Sequence, residues 1–234
     1  MGFLKRILRN TPSEDTGSVF TPGSFEALTE DELQTHMGIN SYGAFELTDA
    51  IRPSYDLQVI PRQGFRFDEY VDDSSQARTP VIMAATTRHR VMDLLLDLID
   101  NLGPVVDVVL ETSHHASSHQ LDLYREHIDV PVLKSILLDH EDLLLNDGCT
   151  GIAVINPERR QEVQLDEHKL LVIYGRPLEQ FEQTLIMSDV YPDESIKFIT
   201  EAEHVHSSSE AYFDKFNALK HRLGMDSDDL SGCC

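Results

Sequence analysis

The chain has 234 residues, and 41 acidic side chains against 19 lysines and arginines give it a formal net charge of −22 with histidine neutral. Because phosphate recognition depends on clustered cations, this composition argues against general nucleic-acid binding and against a broad attraction to anionic lipid. Its cysteines, Cys149, Cys233 and Cys234, form no C-x-x-C motif and no paired framework, so we expect a reducing, cytoplasmic setting.

Residues 1–24 are predicted to lie outside the folded domain. Residues 1–10 combine apolar side chains with Lys5, Arg6 and Arg9 and contain no acid, a pattern that can dock on a membrane surface. Residues 11–24 are rich in Thr, Ser, Pro and Gly, as is typical of a linker. No apolar run approaches the about 20 residues of a membrane span, so membrane contact is expected only through this N-terminal segment, if at all.

Residues 25–224 are predicted to form a single mixed α/β domain. Thr29 and Glu32 make a capping box that predicts a helix at 30–37, and alternating segments up to residue 71 predict two or three short strands. The clearest unit is a buried strand at 80–86, an amphipathic helix at 88–103 and a second buried strand at 105–111. Strand, helix and strand in such close succession predict two parallel strands joined by a right-handed crossover.

The second half of the chain is predicted to extend the same sheet. Residues 151–156, 161–166 and 169–175 have the spacing of an antiparallel meander. The other expected elements are a helix at 120–128, a strand or helix at 131–138, a helical turn before Gly148, a helix with Pro177 in its first turn, a strand at 196–201, and a helix that the capping box of Ser207 and Glu210 begins and Gly224 ends. Residues 225–234 are predicted to be a disordered acidic tail. The predicted fold class is therefore α/β: a parallel βαβ unit joined to an antiparallel meander in one sheet, with helices covering the sheet.

A ligand site is predicted where the two parallel strands end. In open α/β sheets, ligands bind beyond the carboxyl ends of the strands, and here those ends carry TTRHR at 86–90 and ETSHHASSH at 111–119. A helix start also offers unpaired N–H groups and a positive dipole end. We therefore expect a pocket for a small anion, a phosphate or a carboxylate. Its predicted ligand-binding residues are Thr86, Thr87, Arg88, Arg90 and Ser113. The alternative is a helix with solvated arginines beside a polar loop.

The same loops supply the candidate catalytic residues. Histidines and carboxylates are the usual general acids and bases, and four of them follow or flank the two strands. These candidates are His89, Glu111, His114 and His115.

A metal site is the more specific possibility. His204 and His206 would point to the same side of an extended chain, and His114 could supply a third imidazole. Zinc takes three or four such ligands, so a divalent metal such as zinc is the cofactor that the sequence allows. The alternative is that these are surface histidines. Phosphate-binding loops and nucleophile motifs are absent from the sequence, so no organic cofactor is predicted.

These features leave three functions open. The missing motifs favour a non-catalytic domain that binds a protein partner or a small anionic ligand. The alternative is an enzyme that acts on a small anionic substrate at the strand ends, in the manner of a metal-assisted hydrolase. The third possibility is a peripheral membrane scaffold held by residues 3–9.

Overall fold

The computed structural model describes residues 23–25, 28–72, 76–114 and 121–225. The predicted membrane-docking segment lies outside the described residues, as do nearly all of the predicted linker and of the acidic tail. Within the described residues no helix is both long enough and apolar enough to cross a bilayer.

The described chain contains both helices and strands. The helices are α1 (Glu30–Met37), α2 (Arg88–Asp100), α3 (Val130–Asp139), α4 (Glu141–Asn146), α5 (Glu179–Met187) and α6 (Glu210–Arg222). The strands are β1 (Ser41–Tyr42), β2 (Phe45–Glu46), β3 (Ile51–Pro53), β4 (Gly64–Val71), β5 (Arg78–Ala85), β6 (Val105–Thr112), β7 (Leu121–Asp129), β8 (Thr150–Asn156), β9 (Gln161–Leu165), β10 (Leu171–Tyr174) and β11 (His204–His206).

Seven strands form one fully antiparallel sheet in the order β4-β5-β10-β9-β8-β6-β7. The α/β class and the meander of β8, β9 and β10 are confirmed, but the predicted parallel βαβ unit is wrong. Strands β5 and β6 run in the same direction, yet β10, β9 and β8 lie between them. At about 4.8 Å per strand, β5 and β6 are about 19 Å apart. The βαβ prediction had β5 and β6 paired directly. Instead, the meander of β8, β9 and β10, which comes later in the chain, lies between them.

The main core lies between the sheet and the helices on one of its faces. Helix α2 buries its apolar stripe here, as its 3.6-residue period predicts. The stripe consists of Val91, Leu94, Leu95, Leu98 and Ile99, each at most 1% exposed. On strands β5 and β10, alternate residues such as Val81 and Val172 point to the opposite face, where they join a second cluster with Phe45, Ile51 and Phe198.

Several local predictions were wrong for reasons visible in the packing. In place of the helix predicted at 120–128, the described residues from Leu121 onward form edge strand β7, because their backbone pairs with β6. At 131–138, where the sequence left strand and helix open, the structure has helix α3, which buries Leu133, Ile136 and Leu137 at helical spacing. The expected strand at 196–201 contains a short 3₁₀ helix, Ile199–Glu201, instead. Helix α6 is capped by Ser209, whose hydroxyl accepts the N–H of Tyr212, and not by Ser207.

Two short segments bring histidines to one edge of the large sheet. Strand β11 pairs with β3 in a separate two-stranded sheet, in which His206 lies opposite Ile51 and His204 opposite Pro53. The ends of β6 and β9 and the start of β8 all lie at the same edge, because β6 and β9 run opposite to β8. The loops attached to these ends carry the chemistry described next.

Candidate metal centre

Three histidines meet at this edge and form a group that we call the histidine centre: His168, His204 and His206. One ring nitrogen of each lies within 4.8 Å of those of the other two. The ring centroid of His168 lies 4.9 Å from that of His204 and 4.8 Å from that of His206, and the last two are 5.1 Å apart. All three are half-buried, so an ion from solvent can reach them.

The hairpin between β9 and β10 positions His168. Asp166 holds this turn: its Oδ1 accepts the backbone N–H of His168 at 2.9 Å and that of Leu170 at 2.8 Å. Asp and Asn favour such a side-chain-to-backbone turn, because their short side chains carry an acceptor oxygen. His204 and His206 are two residues apart on β11, so their side chains lie on one side of the strand.

Each ring of the histidine centre is held through its Nδ1 atom. His168 Nδ1 donates to Asp166 Oδ2 at 2.9 Å, His204 Nδ1 to the Ala202 carbonyl at 2.8 Å, and His206 Nδ1 to the Gly148 carbonyl at 2.6 Å. Carbonyls and carboxylates accept hydrogen bonds, so Nδ1 carries the proton in each neutral ring and Nε2 keeps its lone pair. Metal-binding histidines in proteins show this pattern of an anchored second nitrogen almost without exception.

The surroundings of the centre shift the pKa values of His168 and His206 in opposite directions. Burial lowers the pKa of His168, but the hydrogen bond and charge of Asp166 raise it more, and the net pKa lies above the ordinary value. Burial lowers the pKa of His206, and the neighbouring His168 lowers it further. The hydrogen bond to Gly148 opposes this shift, but the net pKa lies below the ordinary value. Beside them, burial lowers the pKa of Lys169 to about 8, and its Nζ donates to the Thr150 carbonyl at 2.7 Å.

A second group of possible ligands lies beside the first, and we call it the cysteine cluster: His114, Asp147 and Cys149. One ligand atom of each lies within 4.8 Å of the others. His114 Nε2 is 3.2 Å from Asp147 Oδ2. The Asp147 side chain is fully buried and also accepts hydrogen bonds from the hydroxyls of Ser208 and Thr150, each at 2.5 Å.

Gly148 joins the two groups. Its carbonyl anchors His206, and its neighbours on either side belong to the cysteine cluster. A Cβ atom at this position would lie 2.4 Å from the Ala50 carbonyl oxygen and 2.9 Å from that of Ser207. Only glycine therefore lets the segment before β8 approach β3 and β11 closely enough to complete both groups.

The predicted metal ligands are thus divided between the two groups. His204 and His206 lie together as expected, but their third partner is His168, while His114 belongs to the cysteine cluster. The sequence analysis missed His168 because it is a single histidine in a hairpin turn. Its local signals are the acids Asp166 and Glu167 just before it, and an acid also directly precedes His127, His140 and His204.

The structure does not bring the loop at 86–90 together with His114, because three strands separate β5 from β6. The predicted anion-binding residues of that loop contact protein groups instead. Arg88 pairs with Asp49 at 3.0 Å, Arg90 donates to the Ser188 carbonyl, Thr86 donates to Gln63, and Thr87 accepts the Glu46 N–H. Ser113 lies by the cysteine cluster, where its N–H donates to the Cys149 carbonyl at 2.9 Å.

The candidate catalytic residues are also dispersed. His89 is largely exposed, its Nε2 contacts Glu46 at 2.8 Å, and it is not part of the histidine centre. Glu111 is buried and accepts hydrogen bonds from the Gln164 amide. His115 lies outside the described residues. Of the four candidates, only His114 lies within a group of possible metal ligands in the described chain.

A narrow cleft adjoins the histidine centre. His168 forms part of its lining together with Lys169, Lys197 and Thr86. Thr48 also lines the cleft; it is 3% exposed, and its hydroxyl oxygen has no hydrogen-bond partner among the described residues. Buried hydroxyls are normally hydrogen-bonded, so this oxygen is an available contact for a bound molecule.

No protein-family model, curated protein or solved structure is significantly similar to this chain. Function is therefore inferred from the geometry and chemistry of the two groups.

Proposed function

We propose that this protein binds a divalent transition-metal ion of the zinc class through His168, His204 and His206. The observation that carries this proposal is the hydrogen bonding of the rings: each Nδ1 is anchored on a protein oxygen, which leaves the three Nε2 lone pairs available to an ion. Nothing in ordinary packing requires three imidazoles to be aligned in this way within 4.8 Å.

The ligand set also selects the kind of ion. Imidazole nitrogen suits zinc, copper, nickel and cobalt, whereas calcium and magnesium prefer oxygen ligands. In a tetrahedral zinc site with bonds of about 2.0–2.1 Å, neighbouring ligand atoms are about 3.4 Å apart. Metal binding would therefore require the ring nitrogens, which lie within 4.8 Å of one another, to draw together to this spacing.

Metal-assisted hydrolysis of a small anionic substrate is the second candidate function. Three protein ligands leave a coordination position for water, which is the arrangement of catalytic zinc sites, and a bound metal lowers the pKa of that water. The cleft favours this candidate, since His168 lines it beside Lys169 and Lys197 in a chain of strongly negative charge. The unpartnered Thr48 hydroxyl offers a hydrogen bond to an anionic group there.

Isothermal titration of the metal-free, tag-free protein with Zn²⁺ tests the metal proposal. We expect the double variant His204→Ala/His206→Ala to lose one equivalent of bound zinc relative to the natural sequence. His89→Ala is the matched control, because His89 is a largely exposed histidine that is not one of the three ligands, and this variant should bind zinc as the natural protein does. An unchanged stoichiometry and affinity in the double variant would remove the proposal.

Hydrolysis of p-nitrophenyl phosphate and p-nitrophenyl acetate by the zinc-loaded protein tests the second candidate. We expect turnover that disappears in the same double variant and weakens in Thr48→Val, which retains the shape of the side chain without its hydroxyl. Metal binding without turnover of either ester would leave the protein a non-catalytic metal-binding domain.

A further inference from the structure

We infer that the cysteine cluster is a second metal site, in which His114, Asp147 and Cys149 bind a zinc-class ion through nitrogen, oxygen and sulfur. Its ligand set shares no residue with the histidine centre, so this inference does not rest on the proposed function. A borderline-soft ion such as Zn²⁺ accepts all three ligand types.

The spacing of the cluster already resembles that of a coordination sphere. His114 Nε2 and Asp147 Oδ2 are 3.2 Å apart. Neighbouring ligands of a tetrahedral zinc ion with bonds of about 2.0–2.1 Å are about 3.3–3.4 Å apart. The ligand atom of Cys149 lies within 4.8 Å of both, and Cys149 is only partly buried, so the third ligand borders an accessible side of the cluster.

Asp147 is held as a ligand would be. Its carboxylate is completely buried, and burying a charge is costly unless opposite charge or hydrogen bonds compensate for it. The hydroxyl of Ser208 donates to Oδ1 and that of Thr150 to Oδ2, which fixes the plane of the carboxylate.

His114 is oriented from the other side. Its Nδ1 lies 2.6 Å from the Thr112 hydroxyl, and its ring packs against Phe213 and Phe216, with centroid distances of 5.3 Å and 5.7 Å. His114 Nε2 lies 3.2 Å from Asp147 Oδ2 and 3.2 Å from the Ser208 hydroxyl, whose own proton goes to Asp147 Oδ1. In the metal-free protein Nε2 therefore carries the proton and Nδ1 accepts from the Thr112 hydroxyl. A bound ion would displace the Nε2 proton, as metal binding at histidine generally does.

The buried ammonium of Lys169 lies beside the cluster. It interacts electrostatically with both Asp147 and Cys149, and it donates to the Thr150 carbonyl at 2.7 Å. Its charge offsets part of the cost of burying the Asp147 carboxylate.

Cobalt substitution tests the site, because a thiolate bound to Co²⁺ gives a near-ultraviolet charge-transfer band that imidazole and carboxylate ligands do not give. The starting protein carries Cys233→Ser/Cys234→Ser, which leaves Cys149 as the one thiol in the sequence. We expect two equivalents of bound Co²⁺ and the charge-transfer band. Adding Cys149→Ser should remove the band and one equivalent.

The two sites fail independently in this experiment. His204→Ala/His206→Ala should lose one equivalent of Co²⁺ and keep the band, so loss of the histidine centre alone is recognised. The inference would be wrong if the protein that retains Cys149 lacked the band, or if Cys149→Ser still bound two equivalents of Co²⁺. The cluster would then be only a buried hydrogen-bond network.

A second measurement needs no substitution of the thiol itself. In the same Cys233→Ser/Cys234→Ser protein, saturating Zn²⁺ should slow the reaction of Cys149 with a thiol reagent by about tenfold or more, because the metal-bound thiolate is withdrawn from attack. His114→Ala is the matched variant and should abolish this protection. An equal rate with and without Zn²⁺ would overturn the inference even if Cys149→Ser failed to fold.

Discussion

Replacing Asp166 by asparagine should weaken metal binding at the histidine centre without unfolding the β9–β10 turn. In the natural protein Oδ1 accepts two backbone N–H groups, and Oδ2 accepts His168 Nδ1 at 2.9 Å. Both backbone donors still need an acceptor in Asp166→Asn, so the amide oxygen of the new side chain has to take the role of Oδ1. Its amide nitrogen then faces His168 Nδ1 as a second donor.

That change reverses the tautomer of the ring. Two donors facing each other repel, so His168 is expected to accept at Nδ1 and to carry its proton on Nε2, where the metal should bind. Loss of such an outer-shell partner typically weakens metal affinity by about 10–100-fold, or about 1.4–2.7 kcal/mol. The turn itself should persist, because the backbone hydrogen bonds to the side-chain oxygen are retained.

Zinc affinity is to be measured by competition with a chromophoric chelator for three proteins: the natural sequence, Asp166→Asn and Glu167→Gln. The last variant removes the same charge from the next residue, whose carboxylate contacts Ser113 instead of the ring. We expect a large loss only in Asp166→Asn. Natural affinity in that variant would refute the tautomer argument, and an equal loss in Glu167→Gln would show that charge alone matters.

Three further predictions concern stability. Gly148→Ala should lower the free energy of unfolding in urea by about 1–3 kcal/mol, because its Cβ would lie 2.4 Å from a backbone oxygen, whereas Gly38→Ala, with no such atom nearer than 3.4 Å, should not show this loss. Arg52→Lys should lower the free energy of unfolding by about 1–3 kcal/mol in the same assay, since the buried guanidinium donates to three backbone carbonyls that an ammonium cannot reach together. An unchanged urea midpoint would contradict this prediction. Burial lowers the pKa of Lys169 to about 8 in the folded protein, whereas its ordinary value is 10.5. Between these two pH values the unfolded chain binds more protons than the folded chain, so the metal-free protein should gain about 3 kcal/mol of stability as the pH rises. Lys169→Met should flatten that pH profile, and an equally steep profile in the variant would assign it to other groups.

Part of the candidate site was accessible from local sequence. The spacing of His204 and His206 predicts two imidazoles on one side of an extended segment, and the structure places them on β11. Their partner His168 could not be identified, because the hairpin that carries it reaches β11 only through the order of strands in the sheet. The assignment of His114 to a different group depends on the same order.

The sequence by itself determined the local elements: the capped helix α1, the apolar stripe of α2 and the antiparallel meander of β8, β9 and β10. Side-chain periodicity and turn residues act over a few positions, so these elements follow from the residues they contain. Only the tertiary structure decided that the meander lies between β5 and β6, and thus which loops meet at the sheet edge. A buried strand has the same apolar pattern whichever strand it pairs with, because the choice of partner depends on packing between residues far apart in the chain.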